Sequence, residues 1–338
     1  MSLSLAHLHL PPQDPIAQAA QIKRAAQALG FDKAGIADLR DPAGLDTLQT
    51  WLNQGHAADM DWMRDPRRQD PQAVLPGARS IICVALNYYT PHHHSEDAEV
   101  GKISRYAWGR DYHKVLGSRL KALSRWIEAE QPTERTRWYV DTGPVSEKLW
   151  AQQAGLGWIG KHSLLLSRDL GSWLFLGVIL TTLDLPADAP HTAHCGTCTR
   201  CIAACPTQAI RDPGVVDSSR CIAYHTLESH AQTLPTAIAD HLNNWVAGCD
   251  ICQDVCPWNQ RFATPTGIPD FQPYPGNLAP SLEELARIDE DTFSQQFPAS
   301  ALRRLKAHRL RRNAQAALGS RPAAPESPSP NSSDLDLG

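Results

Sequence analysis

Apolar residues recur at helical spacing over 16–29, with alanine and glutamine between them and Gly30 as a stop. A short strand over 31–37 follows, then a second helix over 45–52 that ends at Gly55. Within 79–88 the run Ser80-Ile-Ile-Cys83-Val-Ala-Leu86 is continuously apolar, the pattern of a strand buried on both faces. Cys83 inside it reads as a small core residue. Leu116, Leu120, Leu123 and Ile127 share one face of a helix over 115–128. Strands over 137–140, 164–166 and 172–181 flank a helix over 145–154 and a glycine-rich turn over 155–161. Strands alternating with helices before residue 185 predict an α/β layered domain.

The pattern then changes. Pro186 to Pro190 reads as a linker, and 186–262 is dominated by cysteines. Residues 265–280 are loop-like, and Ser281 to Glu284 forms a capping box that opens a helical tail. From 321 onward proline, serine and aspartate predict disorder. The chain therefore divides into 1–185, 186–262, 263–320 and a tail over 321–338.

With 338 residues and a formal charge of −4, the composition is that of an ordinary globular protein with no global bias toward a polyanion. The longest strongly apolar run, 173–180, is too short to span a bilayer. The N-terminus has no basic region before its apolar residues and breaks at Pro11-Pro12, a poor signal peptide. Nine cysteines, eight of them in metal spacing, call for a reducing compartment, and the cytoplasm is expected.

Those eight carry the strongest chemical signal. Cys195-Gly-Thr-Cys198-Thr-Arg-Cys201-Ile-Ala-Ala-Cys205-Pro206 has the spacing C-x2-C-x2-C-x3-C-P, in which three thiolates converge on one iron–sulfur cube while the fourth reaches a neighbouring one. Cys249-Asp-Ile-Cys252-Gln-Asp-Val-Cys256-Pro257 is a second half with Val246 where its leading cysteine belongs, and Cys221 is the replacement. Eight cysteines suffice for two 4Fe-4S clusters. Structural zinc takes two separated pairs, not four cysteines in one tight run. A disulfide framework suits a small secreted domain, not this chain.

Several other stretches carry candidate chemistry. Met60 to Arg68 mixes large apolar and cationic side chains, as either an exposed loop anchored by Trp62 or a lid over an anionic ligand. His92-His93-His94 reads as a solvated loop. Gly101 to His113 is dense in aromatic, charged and hydroxyl groups, either a packed surface loop or a ligand-binding one. Asp141, at the end of a strand and before Thr142-Gly143-Pro144, occupies the usual position of active groups in α/β proteins. An aspartic-protease reading needs a second such carboxylate, and the sequence has no second Asp-Thr-Gly. Capping the helix from Val145 is the plainer role for Asp141, and proton donation to a bound substrate the favoured one. Gly155, Gly157 and Gly160 match a dinucleotide fingerprint but follow a helix instead of a strand, so their smallness is read as room for a large flat ligand. Asn243-Asn244-Trp245 reads as a packed approach to the second cysteine set. Arg303 to Arg312 holds six Lys/Arg in ten residues, a solvated face or a phosphate-contacting helix.

Five motifs in order then point to a family. Tyr106-Ala-Trp-Gly-Arg-Asp-Tyr-His113, Val140-Asp-Thr-Gly-Pro-Val-Ser-Glu-Lys148, Gly157-Trp-Ile-Gly-Lys161, the first cysteine run, and Cys249-Asp-Ile-Cys-Gln-Asp-Val-Cys-Pro-Trp-Asn259 resemble epoxyqueuosine reductases over roughly residues 15–318. The resemblance implies an α+β chain: a nitroreductase-like α/β cobalamin domain over 1–185, a ferredoxin-like two-cluster module over 186–262, and a short helical part with a basic helix over 263–320. It implies Cys195, Cys198, Cys201 and Cys256 on one cluster and Cys205, Cys221, Cys249 and Cys252 on the other. Arg64, Ser104, Asp141, Leu165 and Ala223 are the cobalamin contacts it suggests, several through backbone groups.

The implied reaction is reduction of epoxyqueuosine to queuosine at the wobble position of tRNA, the last step of queuosine synthesis. Electrons would pass from the clusters to cobalamin while Asp141 donates a proton, which asks for a raised Asp141 pKa. The basic stretch would meet anticodon-stem phosphates, and nearby aromatics would hold the splayed base. A monomer served by a reductase, ferredoxin or flavodoxin is expected. His162-Ser163 and Tyr224-His225 depart from the family pattern of Asn-Thr and Tyr-Leu, and the sequence stops soon after the basic helix, without the helical-repeat tail of longer members. Two rivals share parts of this chemistry. A reductive dehalogenase is typically exported, and no twin-arginine signal is visible; an electron-transfer or tRNA-binding module would leave Asp141 idle.

Overall fold

The computed structural model describes residues 5, 7–11, 13–40 and 44–320; the tail expected to be disordered, 321–338, lies outside them. At its centre is a four-stranded sheet in the order Lys33–Asp38, Ser80–Asn87, Leu174–Thr181, Thr136–Tyr139. Every neighbouring pair is antiparallel. The layering expected from alternating strands and helices is present, but the parallel ladder that such alternation usually brings is not. Periodicity identifies an element and its buried faces; it carries no information on which way the strand runs.

The apolar run 80–87 is the middle of this sheet, and all eight of its residues are buried. Its side chains alternate between two cores, as the period of a strand requires. Ile82, Val84 and Leu86 pack with the helices Pro15–Ala28 and Tyr112–Glu130 on one face. Ile81, Cys83 and Ala85 pack with Trp150 and Ala151 of the helix Glu147–Gln153 on the other. Cys83 is the small core residue its setting suggests. The sheet thus fixes Glu147–Gln153 beneath the strand end that leads into Asp141.

A separate core covers the C-terminal side. The helices Leu282–Arg287 and Lys306–Gly319 pack on Trp245, Val246 and Ala247, and the strand Trp245–Ala247 pairs in parallel with Lys102–Ile103. Ile103, Ala107 and Trp108 belong to this core, with Trp108 fully buried and its indole donating to the Ile103 carbonyl at 2.7 Å. Much of the polar, aromatic 101–113 stretch is therefore a structural seam. His94 also departs from the solvated loop expected of it. Its ring lies against Trp108 and Trp245, at 4.9 and 4.5 Å between centroids, and its Nε2 is 2.9 Å from the Ile103 carbonyl; His92 and His93 are exposed. Asn244 secures the same seam, its amide donating to the carbonyls of Ala98 and Val100.

Candidate functional site: two cysteine cavities and an acidic cleft

The eight spaced cysteines divide four and four. Cys195, Cys198, Cys201 and Cys256 line one tight cavity together with Trp258. Cys205, Cys221, Cys249 and Cys252 line a second, of about 240 Å³. Short helices carry the cysteines: Cys201 lies on Arg200–Ala204 with Cys205 as its C-cap, and Cys252 lies on Ile251–Asp254, between Cys249 and Cys256. Gly248 has φ +76°, and a Cβ there would lie 2.5 Å from the Ser104 Cβ, so only glycine lets the Cys249 segment approach so closely. Ser104 donates its hydroxyl to the buried Asp250 carboxylate, and the Arg105 amide donates to the same group at 2.7 Å.

These cavities suit a cationic inorganic cluster. Burial pushes the Cys249 and Cys252 thiols well up, and neighbouring cysteines push further; four thiolates so placed need a multiply charged partner between them. Fixed donors already aim at sulfur. The Trp158 indole reaches Cys195 Sγ at 3.5 Å, and the Ala209 amide reaches Cys205 Sγ at 3.2 Å. Among the described residues no three His, Cys, Asp or Glu side chains group as a single-ion site.

Asp141 forms the second part of the site. The strand Thr136–Tyr139 delivers it to a turn, where it takes φ +58°, a strained setting for a residue with a Cβ. It does not cap the following helix. Instead its amide donates to Glu147 Oε1 at 2.6 Å, and its Oδ2 accepts from His113 Nε2 at 3.4 Å. His113 Nδ1 is 2.7 Å from Asp111 Oδ1, and Asp111 caps the helix that carries His113. Tyr112 stacks on Phe175 at 4.3 Å and on His113 at 4.1 Å, which fixes the imidazole plane.

The charges here reverse one expectation. Burial pushes the Asp141 carboxyl up, but hydrogen bonds from His113 and Tyr112, with the charges of His113 and Arg304, outweigh it and the net shift is down. Burial likewise opposes the His113 cation, yet Asp111 and Asp141 raise it to about 9. Glu147 is pushed up to about 8, by burial first and by the charge of Asp141 second. At neutral pH Asp141 is a carboxylate, and the protons sit on His113 and Glu147.

Asp141, Trp62 and Arg68 form a wall shared by two cavities. An open cleft of about 750 Å³ lies on one side, lined also by His113, Arg303 and Arg304. A cavity of about 490 Å³ lies on the other, lined also by Met63, Glu147 and Ser163. Ser163 and Val216 in turn belong to the wall of the Cys205 cavity, and His162 lines both cysteine cavities. A series of neighbouring spaces with shared walls thus lies between the open cleft at Asp141 and both cysteine sets.

The other candidate contacts scatter. Ser104 and Ala223 line the Cys205 cavity. Leu165 is buried in the core beneath the sheet, and its neighbours Ser163 and Leu164 face the cavities instead. Arg64 is half exposed beside Asp61, while Arg68 turns inward, donating to the Val145 carbonyl with its guanidinium 4.9 Å from the Trp62 ring. Gly157 is small for its own chain and not for a flat ligand: a Cβ there would lie 2.0 Å from the Leu166 carbonyl across a strand pair.

The basic stretch splits as well. Arg309 and Arg312 lie on the helix face that packs inward, donating to Leu227 at 2.9 Å and to His225 at 2.7 Å through those residues' carbonyls. Arg311 donates to the Ile288 carbonyl at 3.1 Å. Arg303, Arg304, Lys306 and His308 are exposed, and Arg304 pairs with Glu228. His113 and Glu147 are the groups that motif reading left without a role; their only signal was proximity to Asp111 and Asp141 in two dense motifs.

Comparison with known proteins agrees with this arrangement. The family model described as epoxyqueuosine reductase QueG matches residues 68–142, and that of a 4Fe-4S double cluster binding domain matches 194–259. An epoxyqueuosine reductase of Synechocystis sp. is 61% identical over 285 residues, covering 84% of this chain and 99% of its own length. That of Vibrio cholerae is 42% identical over 311 residues, covering 90% and 84%. A crystal structure of epoxyqueuosine reductase with an epoxyqueuosine-modified tRNA-Tyr stem loop superposes with a TM-score of 0.81 at 30% identity, covering 89% of this chain and 80% of that one.

Proposed function

The chain belongs to the epoxyqueuosine reductase family, and from that premise we propose that it reduces epoxyqueuosine in tRNA to queuosine, with Asp141 as the group that meets the epoxide oxygen. The observation that carries the reading is the series of spaces joining an open, cation-lined cleft to two four-cysteine cavities, with Asp141 on the wall between.

The reaction replaces an epoxide by an alkene and water, which takes two electrons and two protons. Cys195, Cys198, Cys201 and Cys256 would hold one 4Fe-4S cluster and Cys205, Cys221, Cys249 and Cys252 the other. Cobalamin would be held beside Asp141, in the cavity that Met63, Glu147 and Ser163 also line, with Ser104 and Ala223 reaching it from the wall of the Cys205 cavity and Arg64 and the Leu165 backbone as outer contacts. When bound, these groups supply the electrons.

The chain's own residues handle the protons. His113 holds the first at rest and passes it across the 3.4 Å contact to Asp141, which delivers it to the departing oxygen; the second follows by the same route once His113 is recharged from the open cleft. Asp111 keeps the imidazole charged and oriented while Asp141 empties and refills. Trp62, half exposed at the cleft, is placed to stack on a splayed base. Arg303 and Lys306 face the backbone phosphates, a narrower footprint than the whole basic stretch offers. The segments 1–185, 186–262 and 263–320 thus divide into catalysis, electron supply and support of the tRNA-facing rim. A reductase, ferredoxin or flavodoxin feeds the clusters of a monomer. No helix among the described residues is long and apolar enough to cross a membrane.

The direct test incubates anaerobically reconstituted protein with epoxyqueuosine-containing tRNA, cobalamin and a strong reductant, then weighs the digested nucleosides. Loss of one oxygen that requires cobalamin is the expected result. An unchanged nucleoside on protein with both clusters intact would move the reading to another substrate.

A further inference from the structure

His162 is the one residue, among those described, that lines both cysteine cavities. It is 3% exposed, and its Nε2 is a buried polar atom with no hydrogen-bond partner. The other ring nitrogen is occupied: Nδ1 accepts from the Leu164 amide at 3.2 Å. An acceptor nitrogen carries no proton, so in the neutral ring the proton is on Nε2. A buried N–H without an acceptor is costly and rare. What surrounds this one is cysteine: all eight spaced cysteines share a cavity wall with it.

We propose that the Nε2–H of His162 donates a hydrogen bond to a sulfur at the boundary between the two clusters, making His162 the residue that tunes their potentials. The inference rests on the reading of the eight cysteines as cluster ligands. Hydrogen bonds to sulfur stabilise the more negative, reduced cluster and raise its potential. The Trp158 and Ala209 donors act from the outer sides; His162 acts from between. Its position also explains the turn in which it sits. Ser163 takes φ +61°, and Gly160 crowds the imidazole so closely that a Cβ there would fall 2.9 Å from His162 Cε1. The ring has little freedom to turn its N–H elsewhere.

The test is an electron-paramagnetic-resonance redox titration of cluster-loaded protein without cobalamin or tRNA. His162→Leu and His162→Met, which remove the donor in different shapes, should shift the reduction equilibrium of at least one cluster about tenfold toward the oxidised form, ~59 mV for one electron. His162→Asn, which keeps an N–H, should recover at least half of that shift. Iron content should stay at the wild-type value in all three. Unchanged potentials in both donor-less variants overturn the proposal, as does an iron loss showing His162 to be a ligand. Wild-type protein that binds no clusters overturns the underlying reading instead, and iron analysis separates the two failures.

Discussion

The cysteine cavities and the Asp141 cleft are built on opposite plans. The first are furnished with sulfur and fixed N–H donors, and the one that holds Cys195 is narrow and packed by Trp158 and Trp258. The second is wide, open and crowded with groups that exchange protons: His113 bridging Asp111 and Asp141, and Glu147 behind them. Electron transfer favours a site that does not rearrange and excludes water. Proton delivery to a polyanionic substrate needs access, charge and a carboxylate whose proton can be replaced. In the proposed reading one fold meets both demands by setting a cavity of about 490 Å³ between them, with Trp62, Arg68 and Asp141 on the wall it shares with the cleft.

Each side can be disabled without the other. Cys252→Ala removes one of four sulfurs from the inner cavity and should abolish turnover while leaving tRNA binding within about twofold of wild type, because the cleft is untouched. Iron analysis with a filter-binding titration checks this.

On the proton side, His113→Gln should cost about 10²- to 10³-fold in single-turnover rate, in the range for a positioned acid–base group, with cluster potentials unmoved. The pH profile carries a sign. His113 is raised from 6.5 to about 9, so its proton and the stabilisation tied to it are fully present below pH 6.5 and lost as pH rises through about 9. Glu147, raised from 4.5 to about 8, loses its contribution in the same direction. Turnover should therefore fall on the alkaline side, and His113→Gln should remove the part of that limb near pH 9 while leaving the part near pH 8. A profile that rises through pH 9 would contradict the assignment.

Trp62→Ala should weaken tRNA binding about tenfold, the loss of one base–aromatic stack at ~1–3 kcal/mol, with clusters unchanged. The smallest effects separate the two kinds of arginine. Arg303→Ala should reduce the salt dependence of tRNA binding by about one unit of slope and leave stability alone. Arg312→Ala should do the reverse, lowering unfolding free energy by about 1–3 kcal/mol through the carbonyls of His225, Ser229 and Ala231 it leaves unpaired.

How much of this could be read from the residues follows the same divide. Metal-ligand spacing is local, so the run from Cys195 to Cys256 announced two sets of four cysteines and even the place of Cys221 in the second. The buried strand 80–87 was legible because a continuous apolar run admits few alternatives. Strand direction was not, since it depends on how distant elements cross. His94 and Arg309 were misjudged for one shared reason: composition assigns polar side chains to water, whereas tertiary packing gave His94 two indole rings and Arg309 a set of carbonyls. The place of Asp141 beyond a strand end was legible, but its charge state was not. That state is set by His113, 28 positions earlier in sequence and 3.4 Å away in space.

If electrons and protons reach the substrate from different sides of one wall, Asp141→Asn should sever one supply and spare the other. Cluster-loaded Asp141→Asn, given cobalamin, a strong reductant and epoxyqueuosine-containing tRNA, should reduce its clusters at the wild-type potentials, bind the tRNA, and return the nucleoside with its epoxide oxygen still in place. Release of that oxygen at the wild-type rate would show that the proton does not come through Asp141, and the division between the two sides would fall.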